Sequence, residues 1–296
     1  MRPLAAPGAG EVEIAVHASG LNFKDVLNAL GMYPGDAGPL GGECAGVVTR
    51  VGSGIEHVRA GDRVMAVARG AVASQVTARG SLVRPLPGGM TMQEGAAFPI
   101  AYLTAHFCLD HLAQVRPGDK VLVHAAAGGV GMAAVRLAQR AGAEVFATAG
   151  APWKRELVRA LGVRHLFDSR TPAFADEIMA ITGGRGVDVV LNSLAGDMLD
   201  ASFRVLAPGG RFVEIGKRGI RTAGQVAAQD AAARYFVVDW GETEANDPAL
   251  VGGMLEQLVA ESASGRLPPL PRHVFSANDA SRAFRFMAQA RHAGRI

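Results

Sequence analysis

Short apolar runs separated by glycine and proline occupy the first hundred residues of the chain. Such runs are typical of strands joined by tight turns, and they predict an antiparallel β lobe with little helix. The predicted strands cover residues 11–18, 46–51, 63–67 and 74–77. A helical pattern begins at residue 92 and continues as a longer apolar helix over residues 101–112.

The pattern changes after residue 120, where apolar strands, glycine turns and helices alternate. The predicted strands cover residues 121–124, 144–148, 187–192 and 211–215, and the predicted helices include one ending at 140, one over 154–161 and one over 250–261. Strands that alternate with helices at this spacing indicate βαβ units and a doubly wound parallel sheet of the Rossmann type.

A linker rich in Gly, Pro and Ser covers residues 262–271, and the tail after it is expected to rejoin the β lobe. We therefore predict an α/β protein with a β-rich substrate lobe and a doubly wound Rossmann lobe. The predicted bounds are residues 1–103 with 267–296 for the first lobe and residues 104–266 for the second.

Length and composition fit two folded lobes. A chain of 296 residues is long for one compact core, and 49% apolar against 19% charged residues argues against disorder. The 30 Lys and Arg and 27 Asp and Glu are scattered, so we expect no nucleic-acid binding. No apolar stretch reaches ~18 residues and no signal-type segment is present, so we expect no membrane association and a cytoplasmic location.

Cys44 and Cys108 lie far apart, without a CxxC spacing or a nearby pair of histidines. They therefore predict neither a disulfide framework nor a zinc site, and they fit a reducing compartment. The chain stops after Arg295-Ile296, where another strand could begin, and we therefore expect it to be a piece of something larger.

A glycine-rich turn follows the first predicted Rossmann strand. Gly128 and Gly131 have the spacing of the last two glycines of GxGxxG, with Ala126 at the first position. Glycine lets the backbone approach a pyrophosphate, and the start of the next helix offers it free N–H groups. The predicted dinucleotide-binding residues are Ala126, Gly128, Gly129, Val130 and Gly131. The alternative is a tight turn in which glycine serves packing alone.

The end of the second Rossmann strand indicates which cofactor is bound. An NAD-preferring fold usually has Asp or Glu there for the ribose 2′-hydroxyl, whereas Phe146 is followed by Ala-Thr-Ala-Gly-Ala. Thr148 is instead expected to bond a phosphate, and Lys154 or Arg155 to pair with the 2′-phosphate of NADPH. Arg170 is either a second cation at this site or a solvated surface arginine. The sequence therefore favours NADPH over NADH.

Five segments together resemble one family. They are NFKDVLNALGMY from Asn22, GGECAGVV from Gly41, VHAAAGGVG from Val123, VDVVLNSLAG from Val187 and FVEIGK from Phe212. Over nearly its whole length the chain resembles the enoyl reductase domains of modular polyketide synthases, which belong to the medium-chain dehydrogenase/reductase superfamily. Single motifs are shared with quinone oxidoreductases, whereas the combination is more specific.

The resemblance implies a GroES-like substrate lobe and neighbouring synthase domains. It also implies NADPH-dependent reduction of a trans-2-enoyl thioester carried on the phosphopantetheine arm of an acyl carrier protein. Hydride adds to the β-carbon, an enolate forms, and a proton then reaches the α-carbon.

Zinc-dependent members of the superfamily have Gly-His-Glu where this chain has Gly41-Gly42-Glu43, and a Cys ligand where it has Asn22-Phe23. Both ligand types are missing, so we expect metal-free chemistry. A conjugated alkene suits such chemistry, because the thioester carbonyl already makes the β-carbon electrophilic.

Three residues are candidates for delivering the proton. Tyr33 has a phenol able to protonate an enolate, and the alternative is a tyrosine packed on the β lobe. Lys217 and Asp239 end apolar runs at the carboxyl edge of the sheet, where open α/β sheets bind ligands. They match the Lys and Asp that the resembling domains place beside the nicotinamide, although strand-end residues of these types are often only solvated or salt-bridged.

Other residues are expected to contact the cofactor or the substrate. Asn22 offers a donor and an acceptor to the cofactor ribose or to the thioester carbonyl, or it serves only as a turn residue before the next helix. Asn192 and Gly216 lie in motifs that carry the resemblance and are expected in the cofactor site. His124 is interpreted as a packing group and not as a base.

Two other functions stay open from the sequence. One is a free-standing NADPH-dependent quinone or alkenal reductase, which uses the same loop and the same metal-free chemistry. The other is a nucleotide-binding scaffold without turnover, against which the presence of Tyr33, Lys217 and Asp239 weighs.

Overall fold

The computed structural model describes residues 6–239, 243 and 246–296. The strands are β1 (Glu11–Gly20), β2 (Glu43–Val51), β3 (Arg63–Val67), β4 (Gln75–Arg79), β5 (Val83–Pro85), β6 (Lys120–Val123), β7 (Glu144–Thr148), β8 (His165–Phe167), β9 (Val187–Asn192), β10 (Leu206–Glu214) and β11 (Arg234–Val237). The α-helices are α1 (Phe23–Ala29), α2 (Met92–Ala96), α3 (Pro99–His106), α4 (Gly129–Arg140), α5 (Pro152–Ala160), α6 (Phe174–Ile181), α7 (Asp197–Arg204), α8 (Ala223–Gln229), α9 (Pro248–Ala263) and α10 (Ala280–Ala288). The compact units are residues 1–103 with 241–296, and residues 104–240.

The first unit contains an antiparallel sheet with the strand order β4-β1-β2-β3-β5. Val12 and Ile14 of β1 share one face of the sheet, because alternate side chains of a strand point the same way. Both are buried in a cluster with Val48 of β2 and Val64 of β3. The predicted β lobe is therefore confirmed, and β5 is an additional short strand that the apolar pattern did not reveal.

Helix α9 belongs to the first unit, although the sequence assigned residues up to 266 to the Rossmann lobe. The Nη2 of Arg84 in β5 donates to the carbonyl oxygen of Gly252 in α9 at 2.9 Å. A Cβ added at Gly252 would lie 2.6 Å from the carbonyl oxygen of Ser81, so only glycine permits this close approach. The docking of α9 depends on these contacts between distant residues, and the apolar pattern of the helix alone does not specify its partner.

The tail of the chain also packs within the first unit. The N–H of Leu21 donates to the carbonyl oxygen of Ile296 at 2.9 Å, and Ala283 and Met287 of α10 are buried with Val26 of α1. Across the part of the chain that the structure describes, no helix is long and apolar enough to cross a lipid bilayer.

The second unit contains a parallel sheet with the strand order β11-β10-β9-β6-β7-β8. The chain runs outward from β6 to β8 and then from β9 to β11, so the order reverses between β6 and β9. Phe146 and Phe212 fill the core on the two sides of this point. The doubly wound Rossmann sheet is confirmed, and ligands of such sheets bind beyond the carboxyl ends of the strands where the order reverses.

Candidate active site

The glycine turn joins β6 to α4 at the reversal of strand order. Gly128 precedes the first helical residue, Gly129. A Cβ added at Gly131 would lie 2.4 Å from the carbonyl oxygen of Ala125 and 2.6 Å from the Cα of Ala126. Glycine is therefore required at position 131 for the helix to approach the turn. The first turn of such a helix leaves backbone N–H groups and the positive dipole end for a phosphate, so the turn fits a dinucleotide.

Ala126 and Val130 occupy different places in this turn. Ala126 is buried, and its N–H donates to the carbonyl oxygen of Thr148 at 2.9 Å. It therefore joins the turn to the end of β7. Val130 is half-buried on the first turn of α4, beside the glycines that would cradle a pyrophosphate.

The side chain of Thr148 lies inside the protein, and its expected contact with a phosphate stays a prediction. Thr148 is fully buried, and its Oγ1 lies 2.9 Å from the Nδ1 of His124. The Nε2 of His124 lies 2.8 Å from the Oγ of Ser202, whose hydroxyl donates to the carbonyl oxygen of Met198 at 2.6 Å. Ser202 therefore accepts from Nε2–H, and Thr148 donates to Nδ1. Burial lowers the pKa of His124 to about 3, so this neutral imidazole ties together β6, β7 and α7.

Arg170 and Lys154 are two cations near the end of β7. A Cβ added at Gly150 would lie 3.1 Å from the Nε of Arg170, so Arg170 lies against this glycine. Burial and then the charge of Arg170 lower the pKa of Lys154. Two like charges held within reach of each other favour an anion as their common partner. Arg155, the alternative to Lys154, instead donates to the carbonyl oxygen of Ala149 at 2.9 Å.

The predicted pair of Lys217 and Asp239 comes together at the carboxyl edge of the sheet. The Nζ of Lys217 donates to the carbonyl oxygen of Val238 at 2.9 Å and to the carboxylate of Asp239 at 3.3 Å. The Lys217 side chain is 22% exposed and that of Asp239 48%, so the pair remains accessible in this unit. An ammonium has three N–H groups, and these two bonds use two of them.

Glu214, at the end of β10, is a buried acid that the apolar pattern of the sequence did not reveal. The Nδ2 of Asn192 donates to its Oε2 at 2.6 Å, and the N–H of Gly216 donates to its Oε1 at 2.6 Å. Burial raises the pKa of Glu214 to about 7, against the opposing effects of these bonds and of Lys217. Asn192 is fully buried and also bonds to Leu194. Its side chain therefore holds the loop after β9. Half-buried Gly216 begins the turn that carries Lys217, and the expected contacts of Asn192 and Gly216 with the cofactor stay predictions.

In the first unit, Asn22 stands at the start of α1 and is half-buried. Its Nδ2 donates to the Oε1 of Glu43 at 3.0 Å, and its Oδ1 accepts from the Nη1 of Arg295 at 3.0 Å. Arg295 also forms an ion pair with Glu43. Tyr33 follows α1, is half-buried, and has the Nζ of Lys24 at 5.2 Å from its ring centre.

The residues of this region do not fit a zinc ion. Glu43 is already paired with a guanidinium, and Gly42 offers no imidazole. Burial raises the pKa of Cys44 to about 12, and its side chain belongs to the core of the β lobe. Protein zinc sites use thiolates, imidazoles and carboxylates that are free to coordinate the metal. Over residues 6–239, 243 and 246–296, no group of three or more His, Cys, Asp and Glu side chains is placed to hold a metal ion.

Comparison with known proteins relates both units to described families. Residues 8–110 match the family described as alcohol dehydrogenase GroES-like domain. Residues 129–236 match the family described as zinc-binding dehydrogenase. These matches agree with the β lobe and the Rossmann unit.

Individual relatives are more specific. The chain is 48% identical over 291 residues to the pikromycin polyketide synthase component PikAII of Streptomyces venezuelae, a match that covers 98% of this chain and 8% of that protein. It is 44% identical in sequence to the chain in the crystal structure of CurK enoyl reductase, with a TM-score of 0.94. The match covers 99% of this chain and 92% of that chain. It is 27% identical in sequence to Escherichia coli quinone oxidoreductase complexed with NADPH, with a TM-score of 0.88. The match covers 100% of this chain and 93% of that chain.

The matched synthases are much longer than this chain, which spans 8% to 18% of their length. The solved enoyl reductase, in contrast, corresponds to this chain over almost its whole length. The chain therefore belongs to the medium-chain dehydrogenase/reductase superfamily and, within it, to the enoyl reductase domains of modular polyketide synthases.

Proposed function

We propose that this chain reduces the trans-2 double bond of an enoyl thioester to the saturated acyl thioester during polyketide chain extension, with NADPH as the reductant. The observation that carries the proposal is the ammonium of Lys217, held by Asp239 at the carboxyl edge of a Rossmann sheet that also carries the glycine turn before α4. Membership of the enoyl reductase family gives that arrangement its substrate class.

Three features support NADPH as the cofactor. The related quinone oxidoreductase is described as complexed with NADPH. The turn before α4 fits a pyrophosphate, and Lys154 and Arg170 would hold the 2′-phosphate beside Gly150. When bound, the cofactor supplies a hydride to the β-carbon of the substrate.

The side chains of the second unit then handle the proton. Hydride addition places a pair of electrons on the thioester oxygen as an enolate, and the new bond at the α-carbon takes a proton from the third N–H of Lys217. Asp239 and the carbonyl oxygen of Val238 accept two of its N–H groups and orient the ammonium. A proton taken up from solvent restores the ammonium, so that each reduction consumes one hydride and one solvent proton. Tyr33 is the second candidate donor, and its contact with Lys24 places a cation beside the phenol ring.

We further infer that the substrate is presented by an acyl carrier protein and that neighbouring synthase domains flank this chain. The support is that the matched relatives are synthases of which this chain spans only a small part. Both cysteines are free and buried, which fits a reducing cytoplasm.

The competing function is a free-standing quinone or alkenal reductase, which the fold similarity to the quinone oxidoreductase favours. The test compares crotonyl-pantetheine with a simple quinone, each with NADPH and with NADH. We expect NADPH-dependent reduction of the thioester and little turnover of the quinone. Reduction of the quinone alone would overturn the polyketide assignment, and no reduction of either substrate would favour a scaffold.

A further inference from the structure

Asn22, Glu43 and Arg295 form a closed triangle of side chains in the β lobe. Asn22 bonds to Glu43 and to Arg295 at 3.0 Å each, and Arg295 and Glu43 pair with each other. Glu43 is fully buried and Arg295 is 4% exposed, whereas Asn22 is half-buried. Burying an ion pair costs desolvation free energy that its attraction often does not exceed. Because this pair also bonds to a partly accessible amide, a role beyond stabilising the fold is worth testing.

The triangle fixes which way the amide of Asn22 faces. Arg295 has only donors, so the group bonded to it must be the oxygen Oδ1, and the nitrogen Nδ2 must then face the carboxylate of Glu43. A flipped amide would place N–H against guanidinium and oxygen against carboxylate. One N–H of Nδ2 remains beyond the bond to Glu43.

Other contacts hold the triangle in place. The Oε2 of Glu43 accepts from the N–H of Ile100 at 2.7 Å. The carboxylate of Asp25 accepts from the N–H of Asn22 at 2.9 Å and from that of Gly41 at 2.8 Å, which ties the start of α1 to the turn before β2. Both the backbone and the side chain of Asn22 are therefore restrained.

Gly42 keeps space open beside the amide. A Cβ added at Gly42 would lie 3.9 Å from the Nδ2 of Asn22 and 3.9 Å from side-chain atoms of Ile100, so this place admits an atom at ordinary contact distance. The second N–H of an amide nitrogen can donate to an oxygen acceptor of a ligand.

We propose that Glu43 and Arg295 are positioning residues that hold the remaining Nδ2–H of Asn22 on the thioester carbonyl oxygen of the substrate. This inference rests on the proposed enoyl reductase function, because that carbonyl oxygen gains negative charge when the hydride adds. A fixed N–H donor stabilises such developing charge without reorganising. The bond from Arg295 to Oδ1 polarises the amide and makes its N–H a stronger donor.

The test is a double-mutant cycle with crotonyl-pantetheine as substrate. Asn22→Ala is expected to lower kcat about 100-fold, the scale of losing one oxyanion donor. Arg295→Lys keeps the charge but loses the fork geometry, and it is expected to lower kcat about tenfold. If Arg295 acts through Asn22, the double variant is no slower than Asn22→Ala alone. A double variant about 1,000-fold slower, the product of the two single effects, would overturn the proposal.

A matched control separates positioning from general stability. Arg50 pairs with Glu13, which is buried in the same sheet and 3% exposed. Arg50→Lys therefore perturbs another arginine that pairs with a buried carboxylate away from Asn22, with the difference that the Arg50 side chain is 46% exposed. Its kcat is expected to stay within about twofold of wild type. NADPH affinity and thermal unfolding are measured for every variant, and a loss of kcat in Arg50→Lys equal to that of Arg295→Lys would overturn the positioning role.

Asn22→Leu provides a second route if Arg295→Lys fails to fold. It keeps the side-chain size and removes the N–H without placing an oxygen against the carboxylate of Glu43. We expect kcat to fall about 100-fold with NADPH affinity unchanged, and full kcat would overturn the proposal. If the wild-type chain does not reduce crotonyl-pantetheine, the proposed function itself is refuted. If the wild type is active and the two single effects multiply in the double variant, only the positioning role is refuted.

Discussion

The two units hold their polar side chains in different ways. In the Rossmann unit, the groups follow the ends of neighbouring strands: Lys217 comes just after β10 and Asp239 just after β11. In the β lobe, Asn22 depends on Glu43 and Arg295, which are 21 and 273 residues away along the chain. Strand ends meet because of sheet topology, so local sequence reveals them. The triangle of the β lobe exists only through long-range packing of charged groups.

The proposed proton donor of the Rossmann unit is expected to show the largest effect. Lys217→Met removes the ammonium, so kcat for crotonyl-pantetheine should fall about 10²- to 10⁴-fold, the range of general acid catalysis. Lys120 belongs to the same sheet and pairs with Glu144 at 3.0 Å, and Lys120→Met is the control, expected within about twofold of wild type. If Lys217→Met keeps the full kcat, Lys217 is not the proton donor, and Tyr33 is the next candidate to test.

Substitution of Lys154, in the helix after β7, should change the preference for NADPH over NADH. Lys154→Glu should raise the KM for NADPH by roughly ten- to a hundredfold, since a charged hydrogen bond is lost and a like charge faces the phosphate. The KM for NADH should change little. Arg159→Glu lies on the same helix, where Arg159 is 56% exposed and pairs with Glu156, and it should spare both cofactors. If Lys154→Glu raises the KM for NADPH and for NADH equally, Lys154 does not bind the 2′-phosphate.

The glycines of the two units offer a third contrast. Gly131→Ala pushes a Cβ onto the backbone of Ala125 and Ala126 and should lower the free energy of unfolding by about 1–3 kcal/mol while weakening NADPH binding. Gly253 of α9 has open space around its Cβ position. Gly253→Ala should therefore raise the free energy of unfolding by about 0.5–1 kcal/mol. Urea denaturation measures both, and a stable Gly131→Ala with normal NADPH affinity would contradict the tight turn.

The smallest expected effect is a pH dependence of stability. The pKa of Glu214 is raised from 4.5 to about 7 by burial, so the fold favours its protonated form. Its contribution to the unfolding free energy is complete below about pH 4.5 and is lost as the pH rises through about 7. As the pH rises from about 5 to 8, the unfolding free energy of Glu214→Gln minus that of wild type should therefore increase by on the order of 1 kcal/mol. Urea denaturation at a series of pH values measures this difference.

Glu13 of the β lobe provides the opposite case for that titration. Its bonds to Arg50 and Thr49 lower its pKa below 4.5, so it stays ionised throughout that pH range. The stability difference between Glu13→Gln and wild type should be constant between about pH 5 and 8. A constant difference for Glu214→Gln as well would contradict the raised pKa of Glu214.

The sequence predicted the parts that depend on local pattern. Both sheets, the glycine turn and the meeting of Lys217 with Asp239 follow from apolar periodicity and strand ends. Thr148 and Asn192 also follow strand ends, but their side chains point into the interior and bond there. A strand end specifies where the backbone finishes, and not which way the last polar side chain faces.

The buried acids were missed for a different reason. Glu43 and Glu214 each stand within an apolar run, and a charged residue in such a run is seldom buried without a partner. That signal was present in the sequence. The partners were not identifiable, because Arg295 and Asn192 approach these acids only after the chain folds.

The position of Arg295 matters for anyone who exchanges such domains between synthases. Arg295 pairs with Glu43, and the carbonyl oxygen of Ile296 accepts from Leu21. A fusion joint placed before residue 295 would leave a carboxylate in the interior without its guanidinium and would release the amide of Asn22. Joint placement in domain engineering should therefore preserve this arginine, or supply an equivalent one from the neighbouring segment.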